Sequence, residues 1–303
     1  SVVDSRRKQG VVPPDASYEI FASILSFAFG IAFGRWDVRL TLDQSIRPRL
    51  GGPFDRLPVC SPGMLVGQDG LPAASGRIVS EEWLRARPDA ITLPTAESVR
   101  HPTIADDEYP ITIAWDGILV DDPDHQSDIV RLVRAVLRLL WPGEAATDAE
   151  RIEREACAML GARELREYVA KPTGFFSNHL KRYSKSRRQA PIYWPLSTVS
   201  GSYTLWVYYH RLSSDTLFTA VNRYVDPKIA QIRRRTEEVR ARLDTASGRE
   251  ATGLREQHDR AAAFLRELEA FRTELLRMAG LPYQPNLDDG VIINAAPLHK
   301  LFR

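Results

Sequence analysis

Two runs of helically spaced residues near the end of the chain constrain its fold more than any other feature. The positions are Ile229, Ile232, Thr236, Val239 and Leu243, and then Gln257, Ala261, Phe264, Leu268, Phe271, Leu275 and Met278. Alternating steps of three and four place each set on one face of a helix. A short Ser-Gly connection separates the two runs. The sequence therefore predicts an antiparallel helical hairpin that begins at residue 227 and ends near residue 279.

Two aromatic and β-branched runs in the middle of the chain predict a β-hairpin. They are residues 192–198 and 203–211, joined by a Ser/Gly connection. Alternation in the second run predicts one buried face and one face that shows rings and His210 to solvent. A further apolar run at residues 111–115 predicts another strand. The predicted fold class is α+β and mainly helical: a helical body, a small β-hairpin or sheet region and the C-terminal helical hairpin.

The chain is long enough, at 303 residues, for two or three sub-domains. Residues 1–170 are predicted to form a mixed α/β region with a long Gly/Pro-rich loop at residues 50–76. Residues 171–226 are predicted to form the basic and aromatic hairpin region, which we expect to recognise DNA. Residues 227–303 are predicted to hold the helical hairpin and a tail.

Charge is spread unevenly along the chain, although the net charge is only +2. Residues 81–128 hold 12 acidic and 3 basic side chains, which gives −9, whereas residues 171–242 hold 14 basic and 4 acidic side chains, which gives +10. Binding responds to the local field of a surface, not to the total charge. The second stretch is therefore the place to expect a polyanion.

Cationic and planar side chains are interleaved in this basic stretch, as expected of a nucleic-acid surface. Cations neutralise phosphates, and rings or guanidinium groups stack on bases or contact their edges. The predicted phosphate contacts are Lys181, Arg182, Lys185, Arg187 and Arg188. The residues predicted to lie near bases or to shape the platform are Tyr193, Trp194 and His210, with Arg211 beside them. A basic loop next to an aromatic core hairpin remains the alternative.

No pattern typical of catalysis or of a bound metal is recognisable in the sequence. Cofactor loops, the Asn-Pro-Pro-Tyr motif, Gly-x-Ser-x-Gly and closely spaced His or Cys pairs are missing. The acidic run before residue 129 is better explained as helix capping than as a metal site. His179 is predicted to be a phosphate contact or a packed core histidine. We expect a binding module that has no cofactor or metal of its own and does not act as an enzyme alone.

The expected location is the cytoplasm. The two cysteines, Cys60 and Cys157, lie too far apart in sequence to indicate a disulfide framework, so a reducing compartment fits. The apolar run at residues 20–33 is only 14 residues long, too short to cross a bilayer. No membrane partner is therefore expected.

Six blocks, in order along the chain, carry a resemblance to a known family. They are residues 29–37 (FGIAFGRWD), 57–65 (LPVCSPGML), 174–183 (GFFSNHLKRY), 187–194 (RRQAPIYW), 208–217 (YYHRL with DTL) and 288–294 (DDGVIIN). They resemble the carboxy-terminal part of large adenine-N6 DNA methyltransferases, namely the PglX proteins of BREX-type phage-defence systems and related fused type II restriction–modification methylases. The PIYW and DDGV blocks are the most specific, and the helical region matches only in character.

This resemblance implies a division of labour between two parts of a longer parent protein. In the family the amino-terminal part carries the methyltransferase fold, its cofactor loop and its Asn-Pro-Pro-Tyr motif, and the later part holds target-recognition and helical spacer elements. This chain resembles the later part. The resemblance thus implies binding to double-stranded DNA, possible contacts with other defence-system subunits, and S-adenosylmethionine only in the parent's catalytic domain. It transfers no catalytic residue to this chain.

Two other functions are consistent with the same residues. In the first, the chain is a protein-interaction scaffold whose helical hairpin docks a partner subunit, and the basic stretch only pairs with residues 81–128 of the same molecule. In the second, the chain is a complete small nuclease, for which no acid-and-lysine cluster is recognisable.

Overall fold

The structure is a computed structural model that describes residues 14–46, 60–86, 102–143, 147–183, 190–281 and 283–302. Helices predominate, which confirms the predicted mainly helical α+β class. The helices are α1 (Pro14–Ala32), α2 (Arg39–Leu42), α3 (Glu81–Ala86), α4 (Ile129–Leu140), α5 (Thr147–Met159), α6 (Leu165–Ala170), α7 (Phe175–Tyr183), α8 (Thr216–Ala220), α9 (Asp226–Leu243), α10 (Gly248–Ala279) and α11 (Val291–Ala295). The strands are β1 (Ile78–Val79), β2 (Thr103–Ile104), β3 (Ile118–Val120), β4 (Tyr193–Ser197) and β5 (Thr204–Tyr208). Within these ranges no helix is both long and apolar enough to cross a membrane.

The chain forms two compact units. The first unit comprises Ser1–Trp115 and Gln126–Asn178, and the second comprises Asp116–His125 and His179–Arg303. These units follow the packing of the backbone, whereas the three regions predicted from the sequence follow composition and charge. The three-region division stays a prediction.

In the first unit, α4 begins at a capped and charge-paired terminus. The carboxylate of Asp128 accepts a hydrogen bond from the Arg131 amide at 2.9 Å. The Arg166 guanidinium holds the same carboxylate through two hydrogen bonds of 3.1 and 2.8 Å. Asp128 is buried, and burying its carboxylate without a partner would cost free energy. The bidentate pair with Arg166 and the cap hydrogen bond offset that cost. The prediction of an acidic cap at this helix is confirmed for Asp128, whereas Asp122 of the acidic run before it pairs with Lys228.

The run FGIAFGRWD, residues 29–37, packs the end of α1 against the rest of the first unit. Phe29 stacks on Phe175 with 3.9 Å between the ring centroids. A Cβ atom at Gly30 would lie 2.2 Å from Trp36 Cδ1, so only glycine lets the indole approach the helix here. The Arg35 guanidinium lies 4.4 Å from the Trp36 ring, within range of a cation–π contact. The run therefore has a packing role.

A buried ion pair fixes the chain directly after this run. Arg39 Nη2 lies 2.8 Å from Asp37 Oδ2, and the two side chains are 2% and 0% exposed. Arg39 Nη1 also donates to the Val79 carbonyl at 3.0 Å, which ties α2 to β1. The Tyr109 hydroxyl donates to Asp37 at 3.3 Å and accepts from the Val38 amide at 3.0 Å. Burial, and then the charge of Asp37, raises the pKa of Tyr109, which keeps its proton for this bond.

Removing the carboxylate of Asp37 is expected to destabilise the first unit strongly. Asp37→Ala leaves the Arg39 charge buried without its counter-ion, which typically costs about 3–5 kcal/mol. The measurement is the free energy of unfolding in urea. The control is Glu81→Ala, since Glu81 pairs with Arg85 at 3.4 Å on the surface and should cost less than about 1 kcal/mol. Equal losses for the two variants would contradict the role given to the buried pair.

A three-stranded antiparallel sheet with the order β3-β5-β4 lies in the second unit. Tyr193 pairs with Tyr208 across the hairpin, and Ile118 of β3 pairs with Val207. The predicted β-hairpin is thus confirmed. The strand predicted at residues 111–115 is wrong: those residues are irregular, and the strand begins only after a turn at Gly117, where φ is +73°.

The predicted helical hairpin is confirmed as α9 and α10, joined by residues 244–247. Its antiparallel register is visible in two ion pairs between the helices, Asp226 with Arg272 at 2.5 Å and Arg233 with Glu269 at 2.6 Å. The seam buries Ile229, Ile232, Val239, Leu268, Phe271, Leu275 and Met278. A π-helical turn, Val221–Val225, joins α8 to α9, so α8 and α9 form one continuous helical element.

The tail is held to the second unit by the buried side chain of Asn294. Its Nδ2 donates to the Tyr209 hydroxyl at 3.1 Å and to the carbonyls of Asn286 and Gly290 at 2.6 and 3.0 Å. Its Oδ1 accepts from the Asn286 amide at 3.0 Å. The tail itself folds as short helical turns.

Candidate nucleic-acid interface

His179 on α7 fixes the start of β4. Its Nε2 accepts hydrogen bonds from the Ile192 amide at 2.8 Å and the Tyr193 amide at 3.3 Å, and the side chain is buried. The ring lies 4.7 Å from that of Tyr183 and 4.8 Å from that of Tyr193. A nitrogen that accepts two amides carries no proton, so this histidine is neutral. Of its two predicted roles, the structure supports the packed, hydrogen-bonded histidine.

A series of rings continues from His179 across the sheet. The Tyr193 and Tyr208 rings are 5.4 Å apart, and the Tyr208 and His210 rings, also 5.4 Å apart, meet edge to face. The Trp194 ring lies 5.4 Å from that of Tyr209. The structure thus brings Tyr193 and His210 of the predicted site into one aromatic cluster that reaches the end of α7.

The strands of the hairpin do not form a solvent-facing platform. Every residue of β4 and β5 is buried, with Tyr193 at 1% and Trp194 at 0% exposure. The Trp194 Nε1 donates to the Pro191 carbonyl at 2.8 Å. The predicted exposed face of β5 is therefore wrong, because its rings pack against each other and against neighbouring elements of the fold. Direct contact between a base and Tyr193 or Trp194 does not fit this burial, whereas a role in shaping the surface stays a prediction.

The turn after β5, Tyr209–Arg211, presents His210 to solvent and leaves Arg211 half-buried. The Arg211 side chain lies over Gly117, where a Cβ atom would approach its Cβ to 2.7 Å. Burial lowers the pKa of Arg211 to about 10, and the charges of Tyr208 and Asp116 oppose this shift. Arg211 is thus a half-buried cation at neutral pH.

Two of the predicted phosphate contacts lie on α7. Lys181 and Arg182 are both exposed in the last turn of the helix. Cations in that turn also stabilise the helix dipole. Lys185, Arg187 and Arg188 lie outside the described residues. The assignment of all five to DNA stays a prediction.

Part of the positive charge counted in the sequence is neutralised inside the second unit. The Lys228 ammonium group lies 2.8 Å from Asp122 and 3.7 Å from Asp124, and the Lys228 and Asp122 side chains are only 11% and 6% exposed. On the surface, Arg223 pairs with Asp116 at 2.9 Å. These partners lie more than 100 residues apart in sequence, so no local pattern could have revealed them. Nowhere in the described ranges do three or more His, Cys, Asp or Glu side chains form a group able to hold a metal ion.

The tip of the β-hairpin is bound to α10 by one carboxylate. Glu267 accepts hydrogen bonds from the hydroxyls of Ser200, at 2.5 Å, and Ser202, at 3.3 Å. The hydrogen bonds from Ser200 are the main cause that lowers the pKa of Glu267 below its usual value. Val199, next to these serines, is 99% exposed. The tip is therefore a fixed projection of the second unit.

This attachment is expected to fail in acid. A carboxyl group whose folded-state pKa is depressed contributes stability above its unfolded-state pKa, near 4.5, and that stability is lost as the pH falls through the folded-state value. The amide shifts of Ser200 and Ser202 should therefore titrate together below pH ~4.5 in NMR spectra. Glu267→Gln should abolish that titration. An unchanged titration in the variant would assign it to another group.

Comparisons with known proteins give one relative of this chain. No protein-family model matches the chain. The chain is similar to the adenine-specific methyltransferase BrxX of Escherichia coli O9:H4 (strain HS), with 29% identity over 191 residues. The match covers 59% of this chain but only 15% of BrxX. The similarity supports a relationship to a methyltransferase and concerns a small part of that relative's length.

Proposed function

We propose that this chain is a DNA-binding, target-recognition part of an adenine-specific DNA methyltransferase from a phage-defence or restriction–modification system. The similarity to BrxX over 191 residues is the observation that carries the proposal. The sequence has no Asn-Pro-Pro-Tyr motif and no glycine-rich cofactor loop. We therefore assign S-adenosylmethionine binding and methyl transfer to another part of the parent protein, and DNA engagement, in the cytoplasm, to this one.

The proposed DNA surface is centred on the end of α7. Lys181 and Arg182 are exposed there, and the basic run of residues 185–188 follows in sequence. Exposed cations that can release counter-ions from phosphates supply most of the sequence-independent affinity of such surfaces. We assign His210, the exposed end of the aromatic cluster, to the neighbourhood of the bases. Tyr193, Trp194 and Arg211 would support this surface from within the fold.

Reversing the charge on α7 is expected to weaken duplex binding. Lys181→Glu/Arg182→Glu removes two proposed phosphate contacts, so we expect at least tenfold weaker binding and a salt dependence that is shallower by roughly one unit of slope per lost contact. Arg187→Glu/Arg188→Glu should act in the same direction. Electrophoretic mobility shifts of a 30-base-pair duplex at several salt concentrations provide the measurement.

The control for net charge is Arg249→Glu/Arg255→Glu, on exposed positions of α10 outside the basic stretch. It changes the total charge by the same amount and should leave binding within about twofold of the unmodified chain. Circular dichroism verifies that each variant is folded. If the α7 variant and the control bind equally well, the assignment of this surface to DNA is wrong.

A second candidate is a scaffold that docks a partner subunit through α9 and α10. The ion pairs of Lys228 with Asp122 and of Arg223 with Asp116 favour it, because they neutralise two cations of the basic stretch that would otherwise attract DNA. Light scattering together with the mobility shift separates the two functions: a scaffold would associate with protein and leave the duplex unshifted even at low salt.

A further inference from the structure

The interface between α9 and α10 is not filled along its whole length. Over part of it, small and polar residues occupy positions that large apolar residues hold further along α10. Gln257 and Ala261 lie at seam positions, whereas Leu268 and Phe271 fill the equivalent positions further along α10. The result is a groove of about 470 Å³ between α9 and α10. Its other lining residues are Lys228, Ile232, Arg235, Arg260 and Phe264. All of them belong to the second unit.

The groove has an apolar floor and a cationic rim. Ile232 is buried at the bottom of the floor, and Ala261 and Phe264 are half-buried, so the carbon surface that stays open to water belongs mainly to Ala261 and Phe264. Arg235 is exposed on the rim and has no ion-pair partner in the described part of the chain. Arg260, 70% exposed, lies 3.7 Å from Glu256, a loose pair that water can replace easily.

We propose that this groove binds an acidic amphipathic helix of a partner protein. An apolar side chain at the centre of the ligand would displace water from Ala261 and Phe264, above the buried Ile232. Acidic side chains on either side of its apolar stripe would meet Arg235 and Arg260. Helices that lie in grooves are recognised in this manner, by apolar residues at i, i+3, i+4 and i+7.

The apolar floor argues against a phosphodiester as the occupant. A nucleic-acid backbone would set charged oxygens against the carbon atoms of Ile232 and Phe264, which offer them no hydrogen bond. From Lys228 to Arg235 the groove follows seven residues of α9, a rise of about 10 Å. About two turns of a ligand helix, the length of one i to i+7 stripe, therefore span it. This inference stands on the groove alone and does not rest on DNA binding at α7.

The test uses the 303-residue chain and a defined probe. The probe is a fluorescein-labelled 14-residue peptide with Leu at positions that form one helical stripe and Glu at most other positions. A second peptide has the same residues in scrambled order, which keeps the charge and removes the stripe. Fluorescence anisotropy should show saturable, salt-sensitive binding of the first peptide and at least tenfold weaker binding of the second.

Three variants locate the site. Ala261→Leu fills the groove and should weaken peptide binding at least tenfold while circular dichroism shows an intact fold. Arg235→Glu should weaken it by a similar factor through its reversed charge. Arg240→Glu, an exposed arginine on another side of the same helix, carries the same charge change and should bind within about twofold of the unmodified chain.

Several outcomes would overturn the proposal. One is equal binding of the two peptides, and another is a Kd unaffected by both Ala261→Leu and Arg235→Glu. A third is displacement of the peptide by a 30-base-pair duplex whose own binding also depends on Arg235, which would make the groove a nucleic-acid site. Lys181→Glu/Arg182→Glu should leave peptide binding unchanged, so the two proposals fail independently.

Discussion

The imidazole of His179 is the interaction on which the centre of the second unit depends. One nitrogen accepts hydrogen bonds from the amides of Ile192 and Tyr193, and so joins a helix to the first strand of the hairpin. Because Lys181 and Arg182 follow within one turn of the same helix, His179 also sets where those cations stand relative to the sheet. A neutral, buried histidine thus positions a charged surface without being part of it.

The same device recurs where secondary structure is short. Asn294 holds the tail through four hydrogen bonds, and the Asp37–Arg39 pair holds a four-residue helix against a two-residue strand. Elements of this length form too few backbone hydrogen bonds to persist alone. Buried polar side chains that form all their hydrogen bonds supply the stability that these short elements lack. Because such hydrogen bonds are directional, they also fix how the elements are arranged.

Features of the fold that arise from a pattern within one element could be predicted from the sequence, and features that arise from contacts between distant segments could not. Heptad spacing predicted α9 and α10, and alternation predicted β4 and β5, because those patterns repeat within one element. The strand predicted at residues 111–115 lies before the observed β3. Three residues are too few to show an alternating pattern, and β3 is defined by pairing with residues almost 90 positions away. Burial of Tyr193 and Trp194 was missed for the same reason: what covers a strand is decided by distant segments. The pairing of Lys228 with Asp122 likewise had no local signal.

The last residues of the chain cover the outer edge of β4. The Ser197 amide donates to the Leu301 carbonyl at 2.9 Å, and Leu196 forms a bridge with Phe302. A strand edge left bare offers unpaired amides and carbonyls to any other extended chain, and proteins usually protect such edges. Truncation before Leu301 would uncover this edge and promote aggregation through edge-to-edge pairing.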